Sequence, residues 1–334
     1  MQTRFTKIFN IRYPIMLGGM VWLGRSQLAA AVSNAGGLGT INSSNFRTGD
    51  ALIQEIRATK RLTDYPFAVN ISLHPARETL PTDEYIEAVI SEGVQAVETS
   101  GTRSPDEYVP ALKSAGVKII HKVSSIRHAL KAEAGGVDAA AMVGLEGGGH
   151  VGANDLTTLI KIPLAADVLK VPVIAAGGIG DARGLVAALA MGADGVVMGT
   201  RFMATEECLS HPKFKQRLIQ ASAEEAVLIK RTINDSTRAL SNQATMKVRL
   251  MEERGTTLDE LWPIISGDNS RKVYLDGEID HGVPSCGQVV GLIREVTSVA
   301  KLIDHMVKES DSIIQRLRGI VDTKGPSMKI SRQG

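Results

Sequence analysis

Val143-Gly144-Leu145-Glu146-Gly147-Gly148-Gly149-His150-Val151-Gly152 is the stretch on which the reading of this chain turns. Small and β-branched residues at 138–143 read as a buried strand. The run then opens into four glycines interrupted by one histidine. Glycine lets a backbone pass close to a ligand or take positive φ. A histidine at the tip of such a loop reaches whatever the backbone lies against. The functional reading puts His150 at the mouth of a barrel, facing a bound ligand. The plainer reading has it cap a turn or bond its own loop.

Outward from this stretch the chain keeps a βα rhythm. Upstream, a strand at 13–16 ends in Gly18-Gly19-Met20, and an alanine-rich helix at 26–32 stops at Asn34-Ala35-Gly36-Gly37. A second strand (38–41) precedes a helix at 50–60, with Leu52, Ile53 and Ile56 along one side. The third strand (67–71) carries polar Asn70 at its end. A loop at 72–81 follows, restricted by Pro75 and Pro81. Helices at 82–92, 107–114 and 125–134 alternate with strands at 96–101 and 117–123. Downstream come a helix at 156–169, kinked at Pro163, a strand at 171–179, a helix at 181–191 and a strand at 194–202. Eight strand–helix units within about 200 residues predict an α/β protein with a (β/α)8 TIM barrel. An open doubly wound sheet would want Gly-x-Gly-x-x-Gly after its first strand; Gly18-Gly19-Met20-Val21-Trp22-Leu23 does not supply it.

After Phe202 the rhythm stops. Helices at 213–225, 236–253 and 258–265 are expected, and Ser285 to Ile293 is expected to begin a helix returning to the barrel. The chain therefore divides into a barrel (1–210), an α-rich lid (211–285), returning helices (286–322) and a frayed tail (323–334).

The 334 residues are 43% hydrophobic and 22% charged, with a net charge of +2. That balance gives no electrostatic case for nucleic acid or an anionic membrane. No stretch approaches the ~20 apolar residues of a membrane span, and the N-terminus lacks an apolar signal core; a cytoplasmic protein is expected. Cys208 and Cys286 are far apart, without metal-ligand spacing, and read as free thiols.

In such a barrel, ligands sit at the carboxyl ends of the strands. Those ends carry Gly18, Gly19 and Met20; Asn42 and Ser43; Asn70; Ser100 and Gly101; Lys122; Glu146 to His150; Gly177 and Gly178; Gly199 and Thr200. The set holds no carboxylate pair, no metal cluster and no serine triad, which disfavours a metal hydrolase or a glycosidase. The loops after strands seven and eight are both glycine-rich, as a phosphate cradle of backbone N–H groups requires. The plainer reading is tight turns. A metal-free barrel with such a cradle suggests FMN or pyridoxal phosphate. Lys122, the one strand-end lysine, would serve either as a Schiff base or as a cation beside a phosphate or a flavin ring.

Pro14-Ile15-Met16 with Gly18-Gly19-Met20, Asn34-Ala35-Gly36-Gly37-Leu38-Gly39, Phe67-Ala68-Val69-Asn70, Glu146-Gly147-Gly148-Gly149-His150-Val151-Gly152, Ile174-Ala175-Ala176-Gly177-Gly178-Ile179 and Met198-Gly199-Thr200-Arg201-Phe202 occur in that order. Together they resemble the nitronate monooxygenase family, formerly called 2-nitropropane dioxygenases, which includes NAD(P)H:quinone reductases and flavin-dependent enoyl-acyl-carrier-protein reductases. The resemblance runs from near the N-terminus to about residue 295. It implies FMN in a TIM barrel beneath a helical second domain. Gly18, Gly19 and Met20 would lie along the flavin ring, and Asn70 and Lys122 at its polar edge. Gly149, Gly177, Gly178, Gly199 and Thr200 would hold the ribityl phosphate. His150 would be the catalytic residue. Gly147 stands where many relatives have Ala.

Three activities follow from the resemblance. The first is oxidation of alkyl nitronates with O2. The second is transfer of a hydride from NADH or NADPH to a quinone, with Pro75 and Pro81 bracing a gating loop. The third is reduction of an enoyl thioester, for which Lys213, Lys215, Arg217, Lys230 and Arg231 would offer an acidic carrier a docking patch. Trp22 and Pro75 would line the substrate pocket, with Tyr274 and Gln288 reaching it from the roof. A homodimer is an open expectation.

Overall fold

The computed structural model describes residues 1–73, 80–101 and 103–321. Eight parallel strands form the barrel: β1 (Ile15–Leu17), β2 (Gly39–Asn42), β3 (Phe67–Ser72), β4 (Ala96–Ser100), β5 (Lys118–Val123), β6 (Ala139–Val143), and, beyond a two-residue strand β7 (Gly149–His150), β8 (Val173–Ala176) and β9 (Gly195–Met198). The sheet order is β1-β9-β8-β6-β5-β4-β3-β2. Parallel pairing of Met16 with Leu38, and the Leu38 N–H bond to the Ile15 carbonyl at 2.9 Å, close the ring between β1 and β2.

The strands are buried on both faces, as a parallel barrel demands. Outside them lie α2 (Ser26–Asn34), α3 (Gly49–Lys60), α4 (Thr82–Ser91), α5 (Val109–Ser114), α6 (Ile126–Ala134), α7 (Thr158–Val168) and α8 (Ala182–Ala190). A first helix, α1 (Arg4–Phe9), which the sequence reading did not see, plugs the amino-terminal end of the barrel. Phe5 and Phe9 pack there against Met16, Leu38, Ala68, Ile120, Ile174 and Val197. Arg4 fastens this plug by donating from Nε and Nη2 to the two carboxylate oxygens of Asp194, at 3.0 and 2.6 Å.

After β9 the expected eighth helix is only a turn, α9 (Thr200–Met203). Its place on the barrel wall is taken by α14 (Val299–Val321), which packs on α8 and α2. The intervening residues form a separate unit within the last βα repeat. It contains α10 (Pro212–Gln220), α11 (Gln243–Glu253), α12 (Leu258–Ile265) and α13 (Gly267–Arg271). Its β10 (Ala226–Ile229) and β11 (Thr237–Leu240) form a small antiparallel sheet with β7 of the barrel loop.

The sequence reading differs here in three places. Residues 237–240 are a strand, where the helix 236–253 was expected; all four are buried by pairing with β10 on one side and β7 on the other, and such pairing overrides local propensity. The helix expected at 213–225 ends at Gln220. The return at 285–293 is a short 3-10 turn (Gln288–Leu292), and the helix begins at Val299. The tail 323–334 and Pro75 lie outside the described residues.

Candidate active site

Alternate residues of a strand face the barrel axis. One layer of this row is apolar: Ala68, Ala96, Ile120, Ala141 and Val197 above the phenylalanine plug. Two residues further along β3, β4 and β5, at their carboxyl ends, the layer becomes polar with Asn70, Glu98 and Lys122, and Gly199 stands at the corresponding place just beyond β9. Glu98 is its centre and has no solvent exposure. Its Oε2 accepts from the Gly19 backbone N–H at 3.1 Å and from Asn70 Nδ2 at 2.7 Å. Its Oε1 lies 3.0 Å from Lys122 Nζ. Asn70 Oδ1 in turn accepts from Asn42 Nδ2 at 2.9 Å. One network thus joins β2, β3, β4, β5 and the turn after β1. The sequence reading picked Gly19, Asn70 and Lys122 but missed Glu98, although a carboxylate within the apolar run Ala96-Val97-Glu98 is itself a signal, because glutamate is rarely buried unpaired.

The glycine loops meet on the opposite side of the mouth. Gly177 and Gly178 have φ of 100° and 75°, and Gly149 of 76°, conformations that disfavour any side chain. The Gly177 backbone passes so near the β6 loop that a Cβ on it would sit 2.9 Å from the Gly147 nitrogen. A Cβ on Gly199 would meet only Met20 Sδ at 3.6 Å, which leaves an approach to that turn open. Thr200 is buried, its Oγ1 accepting from the Gly287 N–H at 2.9 Å. Gly18 donates its N–H to the Met198 carbonyl at 2.9 Å, which keeps the turns after β1 and β9 side by side. Gln288 reaches the same place by its backbone, donating to the Glu146 carbonyl at 3.0 Å.

Glu146 anchors the histidine loop. Its carboxylate accepts from the Thr158 backbone N–H at 2.9 Å and the Thr158 hydroxyl at 3.1 Å, at the start of α7. Lys161, one turn on, has no exposure; its ammonium donates to the Val143 carbonyl and to Asn154 Oδ1. Burial pushes Lys161 down to about 8, against the pull of Glu146. His150 stands on β7, opposite Thr237 of β11, its side chain 55% exposed. Its Nε2 lies 3.2 Å from Asp235 Oδ1, and Lys230 holds the other Asp235 oxygen. Burial alone would raise the Asp235 carboxyl, but the His150 hydrogen bond and the charges of His150 and Lys230 hold it well below the usual range. Asp235 was not singled out from sequence: it is 85 residues from His150, and β-pairing brings the two together.

The remaining expected residues are placed as follows. Met20 is buried beside Gly199. Trp22 takes a left-handed φ of 70° and donates its indole N–H to the Gly267 carbonyl at 2.9 Å, tying the β1 turn to the inserted unit. Tyr274 is 5% exposed, edge-on to Phe214 with ring centroids 5.2 Å apart. Burial pushes its phenol up, Ser285 opposing. The tyrosine expected to reach the site from the roof is therefore enclosed, because its ring fills the core between α10 and the returning segment. Among the described residues no cluster of His, Cys, Asp and Glu is arranged to hold a metal, and no helix is long and apolar enough to cross a membrane.

The donor set fits a phosphate-bearing flavin. Positive-φ glycines bring backbone near an open turn, and on the other side the Lys122 ammonium stands at the rim, 20% exposed, beside Asn70 and Gly19, all three gathered on Glu98. Among the described residues, Thr40 Oγ1 on β2, Ser43 Oγ just after it and Glu98 Oε1 are buried without a hydrogen-bond partner, Glu98 Oε1 having only the Lys122 ion pair.

Fold and site define a (β/α)8 barrel with an insertion in its last βα unit, and the comparisons specify an oxidoreductase family. Residues 2–309 match the family model described as nitronate monooxygenase. The chain belongs to the nitronate monooxygenase family. It is 31% identical to a probable nitronate monooxygenase of Staphylococcus saprophyticus, over 95% of this chain and 99% of that one. It is 30% identical to the (3aS,4S,5R,7aS)-5-hydroxy-7a-methyl-1-oxo-octahydro-1H-indene-4-carboxyl-CoA dehydrogenase of Mycobacterium tuberculosis, over 96% and 99%. The structure of FabK from Thermotoga maritima superposes with a TM-score of 0.89 at 35% identity, covering 96% of this chain and 99% of that one.

Proposed function

We propose that this protein is an FMN-dependent oxidoreductase that oxidises alkyl nitronates with O2. The observation that carries the reading is the polar layer of Gly19, Asn70, Glu98 and Lys122 facing the glycine turns across one barrel mouth. Gly177, Gly178, Gly199 and Thr200 would hold the phosphate, with Gly149 beside them. Gly18, Gly19 and Met20 would line the ring, and Asn70 and Lys122 would bond its polar edge. The bound flavin would supply reversible uptake of electrons. Lys122 would offer an ammonium hydrogen bond where negative charge accumulates on reduction. His150, oriented by Asp235, holds the nitronate oxygens or removes the α-proton of a neutral nitroalkane. Trp22 and Gln288 border the substrate side.

A second reading, redox chemistry on an acyl thioester, is favoured by the full-length similarity to a relative whose name specifies a carboxyl-CoA. One set of measurements on the purified protein decides. The released cofactor is identified by absorbance and mass. O2 uptake is then followed with an alkyl nitronate, and anaerobic bleaching with NADH or NADPH, with and without a quinone or an enoyl thioester. Nitronate-dependent O2 uptake that falls by about 10²-fold or more in His150→Asn supports the first reading. Rapid bleaching by a dinucleotide, with turnover of the thioester or quinone alone, replaces it. A protein that binds no flavin removes both.

A further inference from the structure

Glu98 has no role in the reading above, yet it is the most completely enclosed charged group of the mouth. Each neighbour assigned to the ring's edge is gathered by it: the Gly19 N–H and the Asn70 amide by hydrogen bonds, and the Lys122 ammonium as an ion pair. These three come from β3, β5 and the turn after β1, and nothing in their local sequence fixes their mutual geometry. The carboxylate does. Asn70 also donates to the Glu98 carbonyl at 3.2 Å, and its Oδ1 is taken by Asn42, so its amide is locked in one orientation.

The carboxylate has a second consequence. Lys122 is a cation at the rim of a partly enclosed site, its side chain 20% exposed. A buried anion 3.0 Å away offsets most of its field. The ammonium is therefore present as a hydrogen-bond donor, but much of its charge is cancelled. We propose that Glu98 is the positioning residue of the cofactor site: it sets the geometry of Gly19, Asn70 and Lys122 and, by neutralising Lys122, holds the flavin's reduction potential down. This inference rests on the flavin reading.

The test measures two quantities besides turnover: the flavin dissociation constant, and the reduction potential by equilibration with a redox dye. Glu98→Gln keeps an acceptor oxygen for Gly19 and Asn70 but removes the charge. Its reduced flavin should bind at least tenfold tighter relative to oxidised than in the wild type, an upward shift of about 30 mV for a two-electron couple. Glu98→Asp keeps the charge but falls one methylene short. It should weaken flavin binding at least tenfold, with a smaller change in potential than Glu98→Gln. If Glu98→Gln fails to fold, Glu98→Asp and Lys122→Met are read in the same assays, and Lys122→Met should move the potential downward. A flavin-bound wild type, with the potentials of Glu98→Gln and Lys122→Met unmoved, overturns this inference and leaves the flavin reading standing. A wild type that binds no flavin overturns both.

Discussion

At the residue scale, the mouth of the barrel depends on atoms that are missing. A Cβ on Gly19 would overlap the Asn70 side chain. Gly19→Ala should therefore displace Asn70 from Glu98 and lower stability by about 1–3 kcal/mol, as overpacking does, with a loss of flavin binding of at least tenfold. Thermal melts and flavin titration check it. Lys161 gives a pH prediction. Its native value, about 8, lies below the 10.5 of the unfolded chain. Between those values the unfolded state binds more protons, so stability rises with pH. Below pH 8 both states are charged and the burial cost is constant. Relative to Lys161→Met, wild-type unfolding free energy should gain up to about 3 kcal/mol from pH 8 to 10.5; denaturant titrations across that range measure it. The residues that sequence made legible are those whose type is unusual for their place: His150 among glycines, Asn70 and Lys122 at strand ends. Asp235 was illegible because its relation to His150 exists only across a strand pair.

At the element scale, the barrel strands were readable because each is a short β-rich run ended by glycine or a polar residue, with a helix of period 3.6 beyond it. The plug α1 was not. Six residues are too few for a periodic pattern, and their burial comes from the barrel that they close. Phe5 is fully buried at that plug, and a Cβ on Gly195 would sit 2.6 Å from its ring. Phe5→Ala should cost about 3–5 kcal/mol while leaving the flavin spectrum of the surviving folded protein unchanged, because the site lies at the opposite end. Chemical denaturation and a visible spectrum test the two halves of that statement. The β7–β11 pair was equally hidden, since two residues of strand carry no period.

At the scale of the whole molecule, the barrel shares its largest core with part of the inserted unit, while Ile229, Ala239, Val248, Leu261 and Val283 form a small core of that unit's own. The largest apolar cluster runs from Ile15, Leu17 and Val196 through Phe214 to Val290, Val299 and Met306. A chain ending at residue 298 should lose the burial of Val299, Leu302, Ile303 and Met306 against α8 and α2. It should be recovered aggregated, or with a broad, non-cooperative melt, where the full chain melts in one transition. Sequence could not show this, because the wall position that α14 fills is vacated about a hundred residues earlier, where α9 ends after one turn.

That displaced helix bears on how the protein is made. A regular barrel would receive its eighth wall helix directly behind β9, but here the seam between α8 and α2 stays uncovered until about a hundred further residues have been translated. At about 5–20 residues per second, translating the stretch from the end of β9 to α14 keeps that greasy gap exposed for roughly 5–20 s. The newborn polypeptide therefore carries an open apolar seam through that interval, and α14 is the latch that closes it.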